Sequence, residues 1–438
     1  MTLSTWTSFL LLLLSGIIGH FFYRKQGLFN PIFVFFGVWS VNLLIFEFDS
    51  YVKYFPLTLG RFADVWLAVS LVCFFLGSLF ALFIMKKKTA LLSVSSIELS
   101  SFNREIVWYI SLILFILFFV VVMYKYSILY QFYGNPFTQL QYIRGETNAG
   151  LFALPFYLNF FTLPAYLLIT NLGVLVVLDK NKKVLFLSGL TLVLSCLNAM
   201  SVGMRGGFLN SLLLFFCSVV TTYIVVGKKV NIRHYIYVGV FILLTIVLFS
   251  MWLCWRSHET FLASLFEHNY VYLVGPFLAY GYFLSKPWPV FYWGEWTFRG
   301  IYQLLNSLAS FMGYTIFPGL NTKSYYAPII DIDHPFNTTN YLTYLFSDFG
   351  YGGMVVGPFL LGFVSNYLFC RVILYRKLID IQLMAYIWFT LILTFRGVST
   401  NGVYFWVLIC LIILQWRVLK IKSIQYDGAH NLYLEKTL

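Results

Sequence analysis

Apolar runs of 18 to 24 residues recur along the chain, separated by short polar segments in which Lys and Arg cluster. As a helix, a run of this length crosses the roughly 30 Å hydrocarbon core of a bilayer. Inside lipid a helix satisfies its own backbone hydrogen bonds, which irregular chain does not. The pattern predicts spans near 3–22, 31–47, 65–85, 106–124, 152–178, 184–202, 207–226, 235–254, 341–369, 381–395 and 402–416. That makes about eleven crossings, within a range of 10 to 13, so residues 1–438 read as a single all-α polytopic integral membrane domain. The first run has no basic segment before it and no small-residue cleavage site after it, so it is expected to stay as a span.

The polar segments set the orientation. Arg24 and Lys25, Lys86 to Lys88, Lys180 with Lys182 and Lys183, Lys228 with Lys229 and Arg233, Arg371 with Arg376 and Lys377, and Arg417 with Lys420 and Lys422 fall on alternate connections. Those connections are expected to be cytoplasmic, which puts the amino end outside and the carboxyl end inside. This topology assigns 19 Lys+Arg and 6 Asp+Glu to the inner side, against 10 of each to the outer side. The net charge of +13 and the pI near 9.3 therefore reflect topology and anionic lipid, not nucleic-acid binding. Six cysteines lie in or beside apolar runs, which suits packing and argues against disulfides or a metal cluster. Residues 256–340 break the short-loop pattern and read as a long outer segment with short re-entrant or interfacial helices, a cap over the bundle.

Candidate chemistry gathers on the expected outer side. Arg-Gly occurs at Arg144, Arg205, Arg299 and Arg396, whereas 12 arginines and 30 glycines in 438 residues would meet in this order by chance about once. A guanidinium binds phosphate oxygens in pairs, and an adjacent glycine admits a close ligand. Arg205, in MSVGMRGGF, has almost no loop in which to reach water and is expected to face a polar cavity. Arg256 adds a further outer guanidinium. Helix-end snorkelling is the plainer account of any one such arginine.

A second cluster runs from Asp331 through Asp333, His334, Asn337 and Asn340, the donor and acceptor mixture that a sugar-binding rim needs. His334, Asp333 or Asp331 could accept a proton from a sugar hydroxyl. The plainer reading is helix capping by Asn337 to Asn340. Asp348 lies about two turns into its helix and is expected to pair with an outer arginine. Glu295 stands between Trp293 and Trp296, which would anchor the segment at the interface or stack on sugar faces. Glu47 and Asp49 form an E-x-D in the first outer loop, more typical of a solvated helix end than of catalysis. No P-loop or H-E-x-x-H motif is present and the histidines are scattered, so no metal site is expected.

Three features together, the S-x-G-x-R-G-G at 201–207, the long outer segment, and Asn-Thr-x-Asn-Tyr at 337–341 leading to Asp-Phe-Gly-x-Gly-Gly at 348–353, resemble the bacterial oligosaccharide repeat unit polymerases of the Wzy O-antigen type. The resemblance covers most of the chain in layout, but its motifs are confined to about 200–210 and 290–355. It implies a glycosyltransferase of polysaccharide (lipopolysaccharide) biosynthesis in the bacterial cytoplasmic (inner) membrane, its site facing the periplasm. The implied substrate is an undecaprenyl-pyrophosphate-linked oligosaccharide, polymerised into O-antigen or a related surface glycan without nucleotide sugar or cofactor. A chain-length regulator is an implied partner, along with membrane lipid. Under this resemblance Arg205, Arg144, Arg299, Arg396 and Arg256 with Asn337, Asn340 and Asp348 bind pyrophosphate and sugar. The acceptor base is His334, Asp333 or Glu295. Related O-antigen ligases also use outer arginines with a histidine in the long loop. The competing readings are such a ligase, or a lipid-linked glycan transporter or flippase. A transporter would place charges at mid-membrane and show inverted repeats with paired broken helices.

Overall fold

The computed structural model describes residues 2–22, 29–52, 59–91, 104–136, 154–179, 181–201, 206–226, 269–285, 294–310, 339–397 and 399–435, with scattered positions at 139–146, 239–261 and 312–317. Regular structure among them is helical, with no strand. The helices are α1 Leu3–Phe22, α2 Pro31–Val52, α3 Arg61–Leu91, α4 Arg104–Tyr133, α5 Phe156–Phe160, α6 Ala165–Asp179, α7 Lys182–Ser201 and α8 Gly206–Val225. They continue as α9 Asn269–Ser285, α10 Arg299–Ser310, α11 Tyr341–Tyr375, α12 Leu378–Leu393 and α13 Val403–Glu435. Among the described residues seven helices are long and apolar enough to cross a membrane, and α1, α12 and α13 contribute shorter apolar stretches. The protein is thus an all-helical membrane-embedded chain. Of the expected spans, 235–254 lies largely outside the described residues.

The chain divides into two compact units, one of Met1–Ser95, Gly227–Ile373 and Ile387–Trp406, the other of Ser96–Val226, Leu374–Tyr386 and Val407–Leu438. In the first unit two acidic side chains secure the amino end of α1. Asp64 accepts the backbone N–H groups of Leu3 and Ser4 at 2.8 and 2.9 Å. Glu47 accepts the N–H of Thr2 and the hydroxyl of Thr5. A helix leaves its first N–H groups unpaired, and a carboxylate there also meets the positive end of the helix dipole. Glu47 thereby has a structural task, where the sequence had suggested a solvated helix end; the Asp49 side chain lies outside the described residues.

Helices α3 and α11 meet backbone to backbone. A Cβ on Gly77 would collide with the carbonyl of Phe359, and one on Gly362 with the carbonyl of Phe74. Beside them the hydroxyls of Ser70 and Ser78 donate to the carbonyls of Met354 (2.9 Å) and Gly362 (3.3 Å). Lipid offers no hydrophobic drive between apolar helices, so small residues and such hydrogen bonds hold them together.

The apolar run at 341–369 is not one straight crossing. Gly350 has φ 60° and ψ −150°, which divides α11 into a first arm, 341–349, and a longer second arm, 351–375. The two arms fold against each other, since a Cβ on Gly353 would strike the carbonyl of Leu345. The first arm begins deep in the unit: the N–H of Tyr341 donates to the carbonyl of Thr394 at 3.0 Å. The Thr394 hydroxyl accepts from Trp39 Nε1 at 3.0 Å, and Trp39 lies roughly 12 Å along α2 from Pro31.

The expected outer cap is in part an inserted helix. Residues 274–280 of α9 are buried. Phe277 packs on Trp39 and Phe46, and the Tyr280 hydroxyl donates to the carbonyl of Ala63 at 3.2 Å.

In the second unit the expected span 152–178 is interrupted by the turn at 161–164, which separates α5 from α6. A carboxamide triad fills its core: Gln382 Nε2 donates to Asn171 Oδ1 at 2.6 Å, and Gln415 Nε2 to the same oxygen at 3.3 Å. Arg104 pairs with Asp179 at 3.4 Å. At the carboxyl end of α4 the Tyr133 hydroxyl donates to Glu146 Oε2 at 2.6 Å. Tyr133 first, and then Tyr142, hold the Glu146 carboxyl below its ordinary range.

Candidate functional site

The first unit brings four of the expected site residues, Arg299, Arg396, Asp348 and Asn340, around the first arm of α11, and Glu295 joins them from the turn 294–297. That turn leads into α10 and is pinned from two sides. Asp348 receives its backbone, the N–H of Trp296 on Oδ1 at 3.0 Å and that of Thr297 on Oδ2 at 2.5 Å. Its carbonyls accept from the segment after α12: Thr400 Oγ1 donates to Thr297 O at 2.6 Å, and Asn401 Nδ2 to Trp296 O at 2.9 Å. Asp348 therefore engages a loop backbone, where the sequence had suggested an arginine. Two N–H groups satisfy a buried carboxylate well because each is a fixed dipole that cannot turn away.

The glycine of Arg299-Gly300 has an internal use as well. A Cβ at residue 300 would meet the carbonyl of Gly402 and the ring of Trp406. The expected room for a ligand is occupied here by the protein's own chain. Trp296 is buried, 6.3 Å from Phe283 and 6.0 Å from Tyr344 between ring centroids. It acts as neither interfacial anchor nor sugar platform.

Arg396 follows the end of α12 and lies half-buried, its guanidinium 4.9 Å from the ring centre of Tyr272 on α9. Tyr404 of α13 and Tyr344 of α11 also lie within its electrostatic reach, and Tyr344 is within reach of Arg299 too. The side chains seen to act on Arg396 are these three tyrosines. A ring face favours a cation without neutralising it, so the guanidinium keeps its charge for another group. These three tyrosines escaped the sequence reading because the chain has 32, and nothing in their spacing singles out the cage.

Asn340 caps the first arm of α11: its Oδ1 accepts the N–H groups of Leu342 and Thr343 at 3.1 and 3.3 Å. Its Nδ2 is fully buried and has no partner among the described residues. Glu295 is half-buried in the pinned turn. Arg144, Arg205, Arg256, Asp331, Asp333, His334 and Asn337 lie outside the described residues. No group of three or more His, Cys, Asp or Glu side chains suited to a metal gathers among the described residues.

The arrangement offers two guanidinium groups and a buried amide donor around one short arm, whose amino end is already capped by Asn340 and Thr394. That combination suits an anionic, oxygen-rich group. No protein-family model, curated protein or solved structure matches the chain.

Proposed function

We propose that the chain is a lipid-linked oligosaccharide polymerase of the Wzy type, a glycosyltransferase working at the outer face of a bacterial cytoplasmic membrane. The observation that carries this reading is Arg396, held among Tyr272, Tyr344 and Tyr404 with Arg299 nearby, while Asp348 is engaged with the loop backbone.

In this reading the glycan on one undecaprenyl pyrophosphate passes to a hydroxyl of the repeat unit on a second. The bond between the anomeric carbon and the carrier's pyrophosphate breaks, and a bond to the acceptor oxygen forms. The hydroxyl proton goes to a base, and the pyrophosphate leaves with the electron pair. Arg396 and Arg299 balance the charge that grows on the leaving group. Glu295, His334 or Asp333 takes the proton. Arg205, Arg144 and Arg256 keep a proposed role toward a lipid-borne pyrophosphate, and Asn337 and Asn340 toward the sugar.

The test is the surface-glycan profile of a deletion strain complemented with Arg396→Ala or Arg396→Lys. Polymerase activity predicts single repeat units on the outer lipid in both variants, because lysine restores the charge without the paired donors. Wild-type chain lengths in both would reject the pyrophosphate clamp.

The break of α11 at Gly350 favours a second reading as a transporter, since half-helices that end inside the bundle line substrate paths in such proteins. The same strain separates the readings: a transporter defect leaves the lipid-linked unit facing the cytoplasm, and a ligase defect leaves complete chains untransferred.

A further inference from the structure

Lys125 in the second unit is a charge that the site above does not use. It is 1% exposed, and its Nζ donates to Asn159 Oδ1 at 2.8 Å and to Asn198 Oδ1 at 2.9 Å. Amide oxygens satisfy hydrogen-bond geometry but leave the positive charge in place, and among the described residues no carboxylate is paired with it. A buried cation left in that state is costly, so its presence calls for a task.

Its depth narrows the task. Lys125 lies 21 residues from Arg104, roughly 32 Å along α4, and Asn198 lies 16 residues from Lys182, roughly 24 Å along α7. Arg104, Lys182 and Lys183 mark one end of these helices, so the cluster sits near the opposite polar boundary.

The remaining hydrogen-bonding capacity is all of one kind. Each asparagine turns its oxygen to Nζ, which directs its NH2 group elsewhere, and Asn159 is exposed while Asn198 is half-buried. Among the described residues no further partner is seen for the third ammonium hydrogen or for the two amide NH2 groups. A donor-only cluster around a fixed cation selects a small anion with several acceptor oxygens. At a membrane boundary that anion is a phosphate.

We propose that Lys125, Asn159 and Asn198 form a binding site for a lipid-borne phosphate group. The assignment does not rest on the polymerase reading, because any phosphate on a lipid has the required chemistry. Two sources carry it: an anionic phospholipid headgroup and a prenyl diphosphate carrier. The alternative task is that of a tie joining α4, α5 and α7 without a ligand.

Asn198→Asp separates binding from tying. The new carboxylate keeps an oxygen on Nζ and strengthens the tie, yet it neutralises the cation and repels an anion. The full-length protein, reconstituted in phosphatidylcholine nanodiscs, would be titrated with phosphatidylglycerol and with undecaprenyl diphosphate, bound lipid being read by native mass spectrometry. Asn198→Asp is expected to unfold at or above the wild-type temperature and to weaken retention of one or both probes at least about tenfold. Lys125→Met is expected to lose the same probes. Loss of phosphatidylglycerol alone identifies the headgroup as the source; loss of undecaprenyl diphosphate, alone or with it, identifies the carrier. Wild-type retention of both probes by a folded Asn198→Asp would overturn the proposal and leave Lys125 as a tie.

Discussion

Asp348 and Lys125 are both charges inside apolar helices, and their partners could hardly differ more. The carboxylate takes two N–H groups of the 294–297 turn. Asp348→Asn places an NH2 group against one of those donors, and is expected to cost about 1–3 kcal/mol. Thermal unfolding in detergent checks this, and an unchanged midpoint would mean that the turn holds itself. The depth of Asp348 was legible in the sequence, but its partner was not, because a backbone N–H is the same for every residue and leaves no trace in composition. Lys125 was hidden for a different reason: the expected span stopped at residue 124 and handed the lysine to a loop. Arg396 was visible as one of four Arg-Gly pairs, whereas its aromatic surroundings draw on three helices, two of them distant in sequence.

At the scale of elements, the apolar runs were sufficient to locate the seven described helices long and apolar enough to cross a membrane, since length and apolarity are local properties. Breaks within runs are set by tertiary contacts. The residues of 341–369 give no polar interruption at Gly350 strong enough to mark a reversal, and three glycines in 348–353 leave open which one turns. The backbone at Gly350, φ 60° with ψ −150°, belongs almost only to glycine. Gly350→Ala is therefore expected to destabilise the protein by about 1–3 kcal/mol and to disturb the first arm with its Asn340 cap. The measurement is thermal unfolding together with the glycan profile; stability and chain lengths both at wild-type values would show that the arms need no reversal there. The apolar residues of α9, expected as part of the long outer segment with re-entrant or interfacial helices, are too few for a full span but enough to pack against α2 and α3.

For the molecule as a whole, charge distribution is the strongest statement the sequence makes, with the whole net charge assigned to one side. In a cysteine-free background, Ser310→Cys is expected to react with a membrane-impermeant maleimide on intact cells, and Lys183→Cys only after permeabilisation. The reverse result would invert the orientation and remove the outer-face reading of the arginine site. The tightest joint in the first unit is the meeting of α3 and α11 at Gly77 and Gly362, where each helix touches the other's main chain directly. At those two positions the contact is made with main chain, and the Ser70 and Ser78 hydroxyls bond across beside it. A related sequence would have to preserve two empty positions there and could vary the lipid-facing residues around them, so kinship at this joint would be written as an absence of atoms more than as a pattern of letters.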